Sequence, residues 1–189
     1  DQTRGMRAVT VVDGAVEWRE HPDPVPGAGE LLVRVRAAGI NFADVLVRQG
    51  RYPQAPPLPA VLGNEVAGEV DGRRVMALPQ GGGYGERVAV DADALVPIPD
   101  SASFEEGAAF LLTFLTAWIP LTRQVHLEPG ATVLVHAGSG GVGSAAIQVA
   151  RHLGGRVVAT ASTVEKRGVA LELGAEEALG YEDFDAEVR

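Results

Sequence analysis

Two hydrophobic periods divide the chain. From residue 6 to about residue 100 the apolar positions alternate with polar ones or form short β-branched runs, punctuated by Pro and Gly. Met6–Val12 and Leu31–Ala38 read as strands; in LLVRVRA, Leu32, Val33 and Val35 stand among Arg34 and Arg36. Further short strands are predicted at Val66–Val70, Arg74–Ala77, Glu86–Val90 and Ala94–Pro97. His21–Glu30 cannot be helical, because three prolines and two glycines break it. Asn41–Gly50 reads as a short helical turn stopped by Gly50. Arg51–Gly63 reads as proline-rich, extended and exposed, and Gln80–Glu86 (QGGGYGE) as a flexible loop.

The period changes near Pro99. Ser103-Phe-Glu-Glu106 fits a capping box, with Ser103 as N-cap and Glu106 reaching back from the third helical position. An apolar helical stretch follows from Ala108 to about Trp118, and Pro120 is expected to bend or restart it. After the turn at Glu128–Gly130 the pattern becomes β-α-β-α-β. Ala131–Ala137 is a continuous apolar run, as a buried parallel strand requires. Gly141–Leu153 carries Val142, Ala145, Ala146, Val149 and Leu153 at helical spacing. Arg156–Ala161 reads as a strand, Val164–Leu173 as a helix stopped by Gly174, and Glu177–Leu179 as the start of a third strand. The expected division is a β-rich domain over 1–100 and an α/β domain over 101–189.

The chemistry concentrates in HAGSGGVG. Gly138, Gly140 and Gly143 satisfy G-x-G-x-x-G, a weak pattern alone and a much stronger one between a buried strand and a helix. The first glycine permits the tight turn, the second a close approach to a pyrophosphate, and the third close helix–strand packing. A glycine-rich turn without a ligand is the competing reading. An NAD site usually has an acid at the end of the second strand. Here that end is Thr160-Ala161-Ser162-Thr163, followed by Lys166 and Arg167. Hydroxyls and a cation welcome a 2′-phosphate that a carboxylate would repel, which favours NADP(H). The alternative for Lys166 is a solvated surface lysine.

Composition narrows the partners. The chain has 189 residues, 46% hydrophobic and 22% charged, in the range of an ordinary globular protein. A net charge of −9 argues against nucleic acid or an anionic membrane as main partner. No cysteine is present, so disulfides, thiolate nucleophiles and Cys-ligated zinc are excluded. No apolar run of transmembrane length and no secretory leader is seen, and a cytoplasmic location is expected. Asp1–Gly5 precede Met6 and read as a leader to a native start at Met6.

With these residues in view, the chain resembles the zinc-independent (zeta-crystallin-like) quinone oxidoreductases of the medium-chain dehydrogenase/reductase superfamily. The resemblance covers Met6–Tyr181 and rests on Ala37–Pro53, Val61–Val70, Phe110–Trp118, Val133–Arg151 and the Lys166–Gly174–Tyr181 region. It implies a GroES-like β domain followed by a Rossmann domain, and hydride transfer from NADPH to a quinone or α,β-unsaturated carbonyl. Enoyl or alkenal reduction and non-catalytic NADPH binding stand as alternatives. Zinc-dependent relatives carry a Cys where this chain has Asn41 and a His where it has Asn64, so no metal site is expected. The resemblance assigns Asn41, Asp44 and Tyr52 to the substrate side of the nicotinamide, and Thr116 to its amide. It assigns Ser139, Gly140, Gly141 and Val142 to the pyrophosphate, and Ser162, Lys166 and Tyr181 to the 2′-phosphate. Leu46 replaces a tyrosine that touches the nicotinamide in many relatives. Other readings stay open: Asn41 as a helix cap, Asp44 paired with Arg48 at i, i+4, and Thr116 as a helix-cap hydroxyl. His21, His126, His136 and His152 read as structural or exposed.

A complete Rossmann domain needs two mononucleotide halves, and the β-α-β-α-β pattern supplies the first. The strand Val133–Ala137 is therefore expected to present an apolar edge. The chain is expected to be part of a longer protein, or to pair with a second chain, with a homodimer favoured.

Overall fold

The computed structural model describes residues 5–53 and 55–182; the expected leader, apart from Gly5, lies outside them. The chain forms two compact units, one through Leu111 and one from Leu112. The boundary lies beyond the change of sequence character at residue 100. The reason is that Ala108 and Leu111 are buried with Ala67, Met76 and Ile98, in a cluster belonging to the first unit.

The first unit begins with a hairpin. β1 (Gly5–Val12) pairs antiparallel with β2 (Ala15–Pro22), and Asp13 and Gly14 turn the corner at φ +49° and +79°. Two successive positive φ values are what a two-residue hairpin turn demands, and Asp-Gly supplies them at low strain. β2 has no strand signal in the hydrophobic pattern because most of it is exposed; Trp18 is 59% accessible. β3 (Glu30–Ala38) leads through Gly39 to α1 (Phe42–Arg48), then β4 (Ala60–Val61), β5 (Val66–Val70), β6 (Arg73–Ala77), β7 (Arg87–Asp91) and β8 (Val96–Pro97). These strands form a sheet of order β2-β1-β4 and a five-stranded antiparallel sheet of order β7-β3-β5-β6-β8. Val33, Val66, Val70, Val75, Ala77, Val88 and Val90 make the core. α2 (Phe104–Ala108) starts at the capping box expected at Ser103: its N–H donates to Glu106 Oε2 at 2.7 Å and its Oγ accepts from Glu106 N–H at 3.1 Å.

Two expectations change here. Arg51–Gly63 is not wholly exposed, since β4 joins β1 and Leu62 is buried. Gln80–Glu86 is tied down rather than loose. Gly82, Gly83 and Tyr84 N–H donate to the carbonyls of Val61, Gly63 and Leu62, and Val9 N–H donates to Tyr84 O.

α3 (Leu111–Ile119) starts at the boundary and passes at Pro120 directly into a π-helical turn over Pro120–Gln124 rather than restarting. β9 (Thr132–Val135), α4 (Gly141–His152), β10 (Arg156–Thr160), α5 (Val164–Glu172) and β11 (Glu177–Leu179) follow. The strands are parallel in the order β11-β10-β9, the arrangement of one mononucleotide-binding half. Val135, Ile147, Ala150, Val157, Ala159 and Ala170 fill its core, so the fold is the mixed α/β class expected. Among the described residues β9 pairs with β10 alone, and no helix is long and apolar enough to cross a membrane.

Candidate functional site

In the first unit, α1 places a polar cluster in an apolar wall. Asn41 is the extended N-cap of this helix, and its N–H donates to Asp44 Oδ2 at 2.8 Å. Asp44 is 7% exposed, and the same Oδ2 accepts from the Tyr84 hydroxyl at 2.8 Å. That hydroxyl also lies 3.2 Å from the Gly39 carbonyl. The Asn41 side chain takes part in a capping box with Asp44, and its Nδ2 donates to Glu65 Oε2 at 3.0 Å. Glu65 is 1% exposed. Asp44 does not pair with Arg48, whose Nε donates to Gly14 O at 3.1 Å. Burial, and then the hydrogen bond and charge of Asp44, push the Tyr84 hydroxyl well above the ordinary tyrosine range. Tyr84 is therefore a neutral donor, not an acid, at physiological pH.

Tyr52 is half-buried in the turn after α1, and no hydrogen bond among the described residues joins its hydroxyl to this cluster. Half-buried Leu46 lies on α1 itself. Asn64, beside Glu65, has a buried Oδ1 without a partner among the described residues. Glu65 and Tyr84 are the members that sequence reasoning missed. Their signals are a lone carboxylate in the apolar run VLGNEVAG and a single aromatic ring in a glycine loop.

In the second unit the glycine loop joins β9 to α4, with the positive φ of its turn at Ala137. Gly138 N–H donates to Thr160 O at 2.9 Å and Gly140 N–H to Ala137 O at 2.8 Å. A Cβ at Gly138 would crowd Ala159, Ile147 and Ala170, and one at Gly143 would run into Ala137 O. Gly140 is the extended N-cap of α4, and no side chain caps that helix. The first-turn N–H groups at Gly141 and Val142 therefore face an exposed surface, with half-buried Ser139 beside them. His136 Nδ1 lies 3.0 Å from Thr160 Oγ1 and ties the ends of β9 and β10 together.

Beyond β10, a cavity of about 550 Å³ is lined by Ser162, Arg167 and the segment from Ala178 to Glu182. Arg167 Nη1 donates to Ala161 O at 3.4 Å, which holds the guanidinium at the wall. Lys166 is exposed on the first turn of α5 and is not among the lining residues; its N–H donates to the N-cap hydroxyl of Thr163 at 3.3 Å. Thr116 is exposed, and its hydroxyl donates back along the helix to Leu112 O at 2.6 Å instead of capping it. The histidines divide: His21 Nε2 lies 2.6 Å from Thr10 Oγ1, and the His152 ring lies 6.3 Å from that of Trp118.

An uncapped helix start behind a glycine turn fits a dinucleotide phosphate. Comparison with known proteins identifies the family. Residues 27–81 match the alcohol dehydrogenase GroES-like domain, and residues 141–189 the zinc-binding dehydrogenase family. The quinone oxidoreductase of Thermus thermophilus, solved also in complex with NADPH, superposes with a TM-score of 0.93 at 46% identity, over 96% of this chain and 62% of that one. The chain belongs to the medium-chain dehydrogenase/reductase superfamily, and within it is similar to quinone oxidoreductases. A Pseudomonas aeruginosa quinone oxidoreductase is 39% identical over 178 residues, 88% of this chain and 54% of that protein. The human synaptic vesicle membrane protein VAT-1 homolog is also 39% identical, over 90% of this chain and 46% of that protein. The chain thus spans about half the length of those two relatives. Its two units are a GroES-like β domain and the first part of a Rossmann-type domain.

Proposed function

We propose that this protein is an NADPH-dependent oxidoreductase that reduces a quinone or an α,β-unsaturated carbonyl without zinc. The observation that carries the reading is the acid-free end of β10, where Ser162, Arg167 and Tyr181 line one cavity in the unit whose α4 start is uncapped. A 2′-phosphate would find a fixed guanidinium and two hydroxyls there, with exposed Lys166 adding long-range charge. Glu182 is the one acid lining that cavity. The residues at Ser139–Val142 would hold the pyrophosphate through backbone N–H groups, and Thr116 the nicotinamide amide.

Bound NADPH supplies a hydride to an electron-poor acceptor. In the first unit Asn41 would hold the acceptor oxygen, with Asp44 fixing the Asn41 backbone and Tyr52 bonding or stacking on the substrate. The Tyr84 hydroxyl is engaged with Asp44 and Gly39, so the proton would come from solvent or another weak donor. Asn41 and Asn64 offer carboxamides, not the Cys and His of a zinc site, and the sequence has no cysteine. A homodimer belongs to the same proposal. It is supported by the unpaired side of β9 among the described residues; a further segment completing the sheet is the alternative.

NADPH oxidation measured with a panel of quinones, enals and enoyl thioesters tests the reading. Turnover of quinones or enals that is unchanged by a metal chelator is the expected result. NADPH binding without turnover would instead indicate a non-catalytic binder.

A further inference from the structure

Glu65 is a carboxylate at 1% exposure, followed in the chain by buried Val66 and Ala67. Burying a carboxyl group is costly, and apolar replacements of buried charges are often neutral or stabilising. Gly39 packs closely beside Glu65. Gly39 N–H donates to the Glu65 backbone carbonyl at 2.9 Å, and a Cβ at Gly39 would run into both Ala108 O and Glu65 Oε2. A side chain at residue 39 would therefore disturb the backbone at Ala108 as well as the carboxylate. The carboxylate accepts from the Asn41 amide, at 3.0 Å from Nδ2.

We propose that Glu65 is a positioning residue that fixes which way the Asn41 carboxamide faces. The proposal rests on the reading of Asn41 as the group that holds the acceptor oxygen. A carboxylate presents acceptors only, so the amide nitrogen must turn toward it. One Nδ2 proton is then committed to Glu65. The second Nδ2 proton and Oδ1 are left with one defined orientation on a half-buried residue. A glutamine at 65 could present either its oxygen or its nitrogen, and both orientations of Asn41 would then be satisfied. The backbone of Asn41 is held independently by Asp44, so the two carboxyl groups divide the work: Asp44 places the residue and Glu65 rotates its amide.

The test is side-chain amide NMR of the ¹⁵N-labelled chain, joined to kinetics of Glu65→Gln. In the wild type, one Asn41 Nδ2 proton should be shifted downfield and protected from exchange. In Glu65→Gln that signature should disappear, the acceptor KM should rise about tenfold, and NADPH affinity should stay within about twofold. Adding Glu65→Gln to Asn41→Ala should change KM no further. Ordinary free-amide shifts for Asn41 in the wild type would overturn the proposal. So would a folded Glu65→Gln variant with unchanged acceptor KM where Asn41→Ala raises it. If Glu65→Gln does not fold, the wild-type amide signature and Glu65→Asp decide. Failure of the wild type to turn over any acceptor would sink the functional reading, and the NMR readout would still decide the Glu65–Asn41 link.

Discussion

Tyr84 connects a glycine loop to the start of α1, and its hydroxyl proton is shared between Asp44 Oδ2 and Gly39 O. Tyr84→Phe leaves a buried carboxylate short of one donor, and we expect a loss of about 1–3 kcal/mol in urea unfolding. The same contact predicts a pH dependence. The folded tyrosine ionises above its ordinary value of 10.0, so it binds its proton more tightly folded than unfolded. Its stabilising contribution is complete below about pH 10 and declines as pH rises toward the folded value. Unfolding followed from pH 8 to 11 should show this decline in the wild type and lack this component in Tyr84→Phe; identical profiles would contradict it. None of these contacts was readable locally. Asn41 and Glu65 are 24 residues apart in sequence, and Asp44 and Tyr84 are 40 apart. Pattern reasoning found the helical turn that carries Asn41 and Asp44 but had no means of seeing what folds against it.

Elements with a strong local signature were legible, and those defined by their neighbours were not. The capping box at Ser103, the continuous apolar run of β9 and the 3.6-residue spacing of α4 all encode their structures within a few residues. β2 is an exposed strand whose only local mark is the Asp13-Gly14 turn. At the β9–α4 junction, Gly143→Ala would drive a methyl group into Ala137 O. We expect a loss of about 1–3 kcal/mol, together with weakened NADPH binding because the helix start moves. Thermal melting with and without NADPH checks both. At the start of α5, the missing acid was legible, but which of two adjacent cations lines the cavity was not. Lys166 and Arg167 are adjacent in sequence, yet Arg167 lines the cavity while Lys166 is exposed. Arg167→Ala should weaken NADPH about tenfold or more and leave NADH unchanged. Lys166→Ala should cost less, and the reverse ranking would restore the lysine as the principal cation.

At the scale of the whole chain, a β unit and an α/β unit divide the proposed tasks between acceptor and cofactor. The split follows the sequence character to within about a dozen residues, because α2 is helical by its own capping signal yet packs on β-strand residues of the first unit. Relatives roughly twice as long share both units, so cofactor recognition is the part of the account that these residues can be asked to perform alone. The direct test is a fluorescence titration of the chain with NADPH and with NADH at equal ionic strength. Saturable binding of NADPH at least about tenfold tighter than NADH is predicted, from one charge-assisted contact to the 2′-phosphate. Equal affinities, or a preference for NADH, would contradict it.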